Sequence, residues 1–392
     1  MKAVKKAAFV LLGLLCWTGL YAQETFGIIY GPYLQQISEN EATVMWITDR
    51  DAVSWVELAP DDNTHFYAQE RPRYYQSIGG RRHIGAVHAV RLKGLQKGTT
   101  YRYRIYSTEV IRFEDFNVDY GKTVASEVYR READVFTTFD NEKQSIRFTV
   151  VNDVHEKNDL LADMLGNVHE RNPDFIIFNG DMCSNMQTRE QVFEGFMKQS
   201  IARFASNIPF FYARGNHETR GRLAFDYLKY FPSPTGEPYY TFRCGPAFFV
   251  VLDGAEDKPD SDMEYYGLGN YDSYREEEAR WLEKIVESEE FKQSPYRIVI
   301  LHVPPSGDGW HGLMEVKRLF LPILNRANIN LMLSGHLHRH IYYPAGQADC
   351  NFPLLINSNV HALDIDVDMQ RIHLIIRDRE QKIFKTLQFP RK

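Results

Sequence analysis

The sequence predicts two domains of different class, an N-terminal all-β sandwich followed by a C-terminal α/β domain. Two observations point there. The chain has 392 residues, more than one ordinary domain holds, and its hydrophobic pattern changes near Ser145. Before that point, short β-rich runs alternate with turns; after it, apolar run, polar motif and helix-like segment repeat. A hydrophobic fraction of 44% supplies apolar material for two cores without disulfide or metal staples.

Residues 1–22 read as a secretory signal peptide. Lys2, Lys5 and Lys6 form a basic start, Ala7 to Leu15 a short apolar run, and Ala22 a small residue before Gln23. The run is too short to span a bilayer. Export to the periplasm or beyond is therefore expected; bulky Leu15 before Cys16 argues against a lipoprotein anchor. No later segment is apolar enough to span, so the mature chain is expected to lack a transmembrane segment. Removing the three lysines takes the formal charge from −6 to −9. An acidic surface without a Lys/Arg-rich run does not suit nucleic acid. Cys183, Cys244 and Cys350 then remain, an odd number at no metal-like spacing, allowing at most one internal disulfide. Cys183 reads as a small buried packing residue.

The β-rich region covers about residues 24–139. Ile28 to Leu34, Thr43 to Thr48, Ser54 to Leu58 and His88 to Leu92 are strand candidates, with Trp46 as a core anchor. The alternating Tyr101 to Ile105 follows a Gly94–Gly98 turn. Gln69 to Arg82, rich in Arg and Tyr, reads as a long loop, and Phe139 to Ser145 as a polar linker. In the second domain, residues 145–392, Ile146 to Val151, Phe175 to Phe178, Pro209 to Ala213, Phe248 to Leu252, Ile298 to Leu301 and Ile329 to Leu333 are short apolar runs of buried-strand type. Asp159 to Arg171 and Glu276 to Val286 carry helix-spaced apolar stripes. Gly254 to Tyr274 reads as an excursion, a surface loop that is acidic early and tyrosine-rich late. Phe352 to Ile356 and Ile372 to Ile376 look like closing strands.

Six motifs carry the chemistry. They are Asp153-Val154-His155, Gly180-Asp181, Gly215-Asn216-His217-Glu218, His302-Val303-Pro304, a lone His311, and Gly335-His336-Leu337-His338. Most stand where a strand should end, the edge at which α/β folds gather ligands. Together they offer carboxylate, amide and imidazole donors, a set suited to zinc, iron or manganese. Each is weak alone; the ordered combination is specific. His65, His83, His88, His169, His361 and His373 read as structural or solvated, and His340 as no more than a neighbour of the last motif.

In order, these motifs resemble those of the calcineurin-like metallophosphoesterase superfamily across about Ile146 to His340. The resemblance implies a fold of two facing β-sheets flanked by helices. It implies two metal ions, divalent or trivalent: one held by Asp153, His155 and His338, the other by Asn216, His302 and His336, with Asp181 bridging. His217 would face the leaving group rather than bind metal. The implied reaction is hydrolysis of a small phosphorylated substrate by a metal-bridging hydroxide, without a phosphoenzyme; no nucleophile elbow suggests one.

The N-terminal region resembles a fibronectin type III-like domain, Tyr101 corresponding to its tyrosine corner. Sandwich plus phosphoesterase together resemble purple acid phosphatases. Those enzymes carry an iron-ligating tyrosine three residues after the bridging aspartate, where this chain has Ser184; here His155 supplies a ligand instead. His311, nine residues after His302, corresponds to a substrate-contacting histidine of that family. An exported, acid phosphatase-like phosphomonoesterase is the leading expectation. A phosphodiesterase acting on nucleotide or lipid-derived diesters is the first alternative, and a non-catalytic binding module the second. Metal identity and oligomeric state are not legible.

Overall fold

A computed structural model describes residues 25–391, so the expected leader, residues 1–22, lies outside the described residues. The N-terminal domain is β-rich, built on one long strand, Glu41–Pro60. Its first half pairs with Ile28–Gln35 on one side and Gly85–Lys93 on the other; its second half pairs with Thr100–Glu114 and Arg73–Tyr75. One strand thus joins the domain's seven-stranded sheet. The sequence reading divided it in two at polar Asp49-Arg50-Asp51, which instead marks the bend where it changes partners. Trp46 sits fully buried there, its indole N–H donating to Ser107 Oγ at 2.8 Å. Tyr101 makes the corner contact, accepting the Gln96 backbone N–H at 2.9 Å. The Gln69–Arg82 stretch is not all loop, for it contributes the short strands Arg73–Tyr75, Ser77–Ile78 and Arg81–Arg82. A hairpin from Thr100–Glu114 into Asn117–Ala125, and the strand Asp134–Thr137, complete the domain.

The C-terminal domain is two facing six-stranded sheets. One runs Phe210–Ala213, Phe175–Asn179, Ser145–Val151, Ala362–Asp368, Arg371–Arg377, Ile383–Pro390. The other runs Tyr240–Cys244, Ala247–Leu252, Tyr296–Leu301, Leu331–Ser334, Leu354–Ile356, Ile341–Tyr343. Phe148, Phe175, Phe249, Ile298 and Leu333 pack between them. The outer face of the first sheet is covered by helical residues such as Leu161, Met164 and Phe196, that of the second by Leu282, Val316 and Leu324. Strands covered on both faces need apolar residues at every position, which explains their unbroken runs. The helix expected from Asp159 to Arg171 is two, Asn158–Leu165 and Val168–Arg171, parted by Gly166 at φ +49°. The helix expected at Glu276 begins earlier and spans Tyr271–Glu287. Among the described residues no helix is long and apolar enough to cross a membrane.

The two domains are sewn together. Tyr33 is fully buried, packs on Phe193 and Phe210, and donates its hydroxyl to the Tyr230 carbonyl at 2.9 Å. Tyr103 reaches the Ser206 carbonyl at 2.6 Å. Phe139, at the head of the expected linker, is buried against Phe175 and Phe211. The sandwich therefore braces the helices that cover the first sheet. Tyr33→Ala should cost about 3–5 kcal/mol and Tyr33→Phe about 1 kcal/mol in urea unfolding. Equal, near-zero losses would mean that this contact does not hold the domains together.

Candidate metal centre

The parallel strands of both sheets point their carboxyl ends the same way, and the motifs follow them directly. Asp153 stands two residues after Ser145–Val151, Asp181 two after Phe175–Asn179, Asn216 three after Phe210–Ala213, His302 one after Tyr296–Leu301, and His336 two after Leu331–Ser334. Five segments distant in sequence so converge on one edge. His302 Nε2 lies 3.0 Å from Asp181 Oδ2 and 3.9 Å from Asp153 Oδ1. His338 Nε2 lies 3.1 Å from Asp153 Oδ1 and 3.2 Å from His155 Nε2. Asn216 Oδ1 is 3.1 Å from His336 Nδ1. All seven expected ligands are thereby brought together, and Asp153, Asp181, Asn216 and His302 are essentially inaccessible to solvent.

Close approach demands glycine here. A Cβ on Gly215 would collide with Asp181 Oδ1, and one on Gly335 would stand 2.7 Å from Asp153 Oδ2. Tight turns also force ligand residues into left-handed backbone: Asp153 (φ +55°), His155 (+48°), Asp181 (+53°), His336 (+69°) and His338 (+53°). Non-glycine residues adopt that region at a cost, and clusters of them belong to functional sites.

Family comparisons agree with this geometry. Residues 146–340 match the calcineurin-like phosphoesterase model, and residues 31–131 match the purple acid phosphatase N-terminal domain. The chain carries a calcineurin-like phosphoesterase domain behind a purple acid phosphatase N-terminal domain. Among solved structures, the purple acid phosphatase PPD1 from yellow lupin (Lupinus luteus) shares the fold, with a TM-score of 0.65 at 16% identity, covering 91% of this chain and 73% of that one. Curated relatives include the serine/threonine-protein phosphatase CPPED1 of Mus musculus and of Rattus norvegicus, each 23% identical over 203 residues, or 48% of this chain. The chain spans 59% of the length of those relatives.

The calcineurin-like phosphoesterases imply a dinuclear metal centre, and the residues present fit one. Asp153, His155 and His338 have donor atoms within 4.8 Å of one another, and so do Asp181, His302 and His336. A third such group, His155, Asp181 and His217, links the two. His336 Nε2 is buried without a hydrogen-bond partner, a state that costs free energy unless a ligand completes it. His302 donates from Nδ1 to the Asn179 carbonyl at 2.7 Å, which leaves Nε2 facing the centre, the outer-sphere arrangement common to metal-binding imidazoles. Burial alone would lower the His302 pKa, yet the carboxylates of Asp181 and Asp153 raise it to about 10. Burial opposes the charge of Asp181, and His302 beside it nevertheless holds that carboxyl far below its usual range. Burial and the His302 charge push His336 down to about 4.

His217 is fixed from behind. Its Nδ1 donates to the Ser184 carbonyl at 2.7 Å, so Nε2 faces the centre, 3.9 Å from Asp181 Oδ2. The Ser184 hydroxyl donates to Glu156 Oε2 at 2.7 Å. His311 opens the helix His311–Leu319 and has no part in the three donor groups; its Nε2 is 2.8 Å from Asp272 Oδ1. Its neighbour Trp310 is the residue that meets the centre, with its ring 4.9 Å from that of His336. Cys183 is buried as expected; its thiol reaches Glu218.

The sequence alone assigns no role to three residues that support the centre. Glu218, fully buried, accepts the backbone N–H of Asp181 (2.9 Å), Met182 (2.8 Å), Cys183 (3.3 Å) and Gly215 (2.8 Å), and the Tyr212 hydroxyl (2.7 Å). Asn152 donates to Asp153 Oδ2 at 2.6 Å and is itself held by Asn357 at 2.7 Å. Arg220 stacks its Nη1 3.4 Å from both ring nitrogens of His217. The adjacency of Glu218 to Asn216-His217 was the one available signal. Glu218→Gln puts an N–H₂ where only acceptors fit. It should lower bound metal per chain, read by elemental analysis after purification, because the Glu218 carboxylate holds the backbone of both ligand turns. Full metal content in that variant would sink the positioning role.

Proposed function

We propose that this chain is an exported dinuclear-metal phosphoesterase, acting foremost on phosphomonoesters. The observation that carries the reading is the convergence of seven nitrogen and oxygen donors, with Asp181 grouped both with His155 of one half and with His302 and His336 of the other. Asp153, His155 and His338 would hold one ion; Asn216, His302 and His336 would hold the other. A bound pair of ions supplies an activated water near neutral pH and positive charge for the phosphoryl oxygens. The chain's own residues do the rest. Asp181 and Asp153 supply the negative charge that attracts cations into a buried pocket. His217, locked by Ser184 with Nε2 inward, hands a proton to the departing oxygen, which would otherwise leave as a poor alkoxide leaving group. Arg220, against the His217 ring, adds positive charge on that side.

The name of the rodent relatives supports monoesters over diesters, since protein phosphatases cleave monoesters. A binding module without catalysis is disfavoured, because no expected ligand and no proton donor has been lost. Export rests on residues 1–22, and recovery of a mature chain beginning near Gln23 outside the cytoplasm checks it.

Purified protein should hydrolyse an aryl phosphate, and a chelator should abolish the activity until metal is restored. Asn216→Ala and His302→Ala should each remove it; full turnover in both would refute the metal mechanism. His217→Ala should lower kcat by roughly 10²–10⁴-fold with metal content intact. A matched panel of monoesters and diesters separates the two esterase readings, a preference for diesters by kcat/KM reversing the assignment made here.

A further inference from the structure

On the His217 side of the centre, a cleft of about 1210 Å³ opens to solvent. Its lining includes Ser184, Thr219 and Arg220, the residues that hold or follow His217. Its rim is apolar and exposed: Phe225, Met263, Tyr266 and Leu268 are 82%, 87%, 90% and 73% accessible. Large apolar side chains are seldom left so open together unless something covers them. They come from two separate segments, the turn Arg222–Asp226 and the stretch around Met263–Tyr265. Tyr266 is held at φ +50°, a region that a bulky residue enters only under constraint. Deeper in, Tyr271 and Tyr274 continue the aromatic wall.

Ion pairs and hydrogen bonds connect the cleft to the centre. Arg220 pairs with Glu256 and Asp257, and Tyr265 donates to Glu256 Oε2 at 2.7 Å. Glu256 thus ties the segment behind His217 to the segment that forms the rim. The buried Arg275 fixes the same stretch from below through the Gly254 and Glu256 carbonyls. A phosphate seated at the centre would direct its leaving group past His217 and along this wall.

We propose that the cleft receives the leaving group of the substrate, and that this group carries an aromatic ring. The inference rests on the phosphoesterase reading and adds the substrate class to it. Phe225 and Tyr266 supply faces for stacking, which favours a planar ring over a sugar or polyol of similar size. The ring could be a phenol or a nucleobase, and the test separates the two sources. The probes are phenyl phosphate, adenosine 5′-monophosphate and glycerol 3-phosphate, compared in steady-state kinetics on the metal-loaded full chain.

The double variant Phe225→Ala/Tyr266→Ala should raise the KM for a ring-bearing ester about ten-fold relative to that for glycerol 3-phosphate. A relative rise for phenyl phosphate assigns a phenolic ring, and a rise confined to the nucleotide assigns a base. Both residues are solvent-exposed, so loss of fold is not expected, and the thermal midpoint verifies this. Relative KM values unchanged within two-fold would overturn the proposal while the esterase reading stands. Failure of the wild type to hydrolyse any of the three esters would instead overturn that reading, and this inference with it.

Discussion

One carboxylate organises this molecule. Glu218 gathers four backbone N–H groups and a phenol, and those donors belong to the turns that carry Asp181 and Asn216. A carboxylate satisfied by so many donors can remain charged in the interior, where an unpaired charge would be expensive. Burial and the nearby Asp181 push its pKa up, and the donors work against that shift. The two turns are thereby set at a fixed distance. That spacing lets Asp181 stand between two groups of imidazoles. Remove the carboxylate and four buried N–H groups lose their acceptor at once.

The rest of the fold can be understood as scaffolding for those turns. Two facing sheets present parallel strand ends at one edge, and a core between them, Phe148 against Phe175 at 5.1 Å and Phe249 at 5.2 Å, fixes their separation. The β-rich domain contributes no donor to the three His/Asp groups. Its contribution is mechanical: Tyr33 and Tyr103 grip the helical cover behind the first sheet. Shape and chemistry are in this way assigned to different parts of the chain.

How much of this the sequence disclosed follows from the range of each interaction. The α/β strands were legible because burial on both faces leaves no polar position. The ligands were legible because each follows such a run within four residues. The sandwich was less so: Asp49-Arg50-Asp51 looks like a turn, and only the change of partners from Gly85–Lys93 to Thr100–Glu114 shows that the strand continues. Gln69–Arg82 looked like a loop because strands of two or three residues carry no period. Glu218, Asn357 and Glu256 each hold at least one partner 35 or more residues away, and those contacts lie beyond the reach of any local pattern. The spacing of His311 from His302 suggested substrate, and the fold supplies Asp272 as a neighbour.

The left-handed turns carry a consequence for how such a centre can change. At Asp153, His155, Asp181, His336 and His338 the backbone conformation is one that glycine accepts without penalty and other residues accept at a cost of roughly 1–3 kcal/mol each. Glycine offers no donor atom. At these five positions, then, selection for a more stable chain and selection for an intact donor set pull in opposite directions, and the strain persists as the trace of which one prevailed.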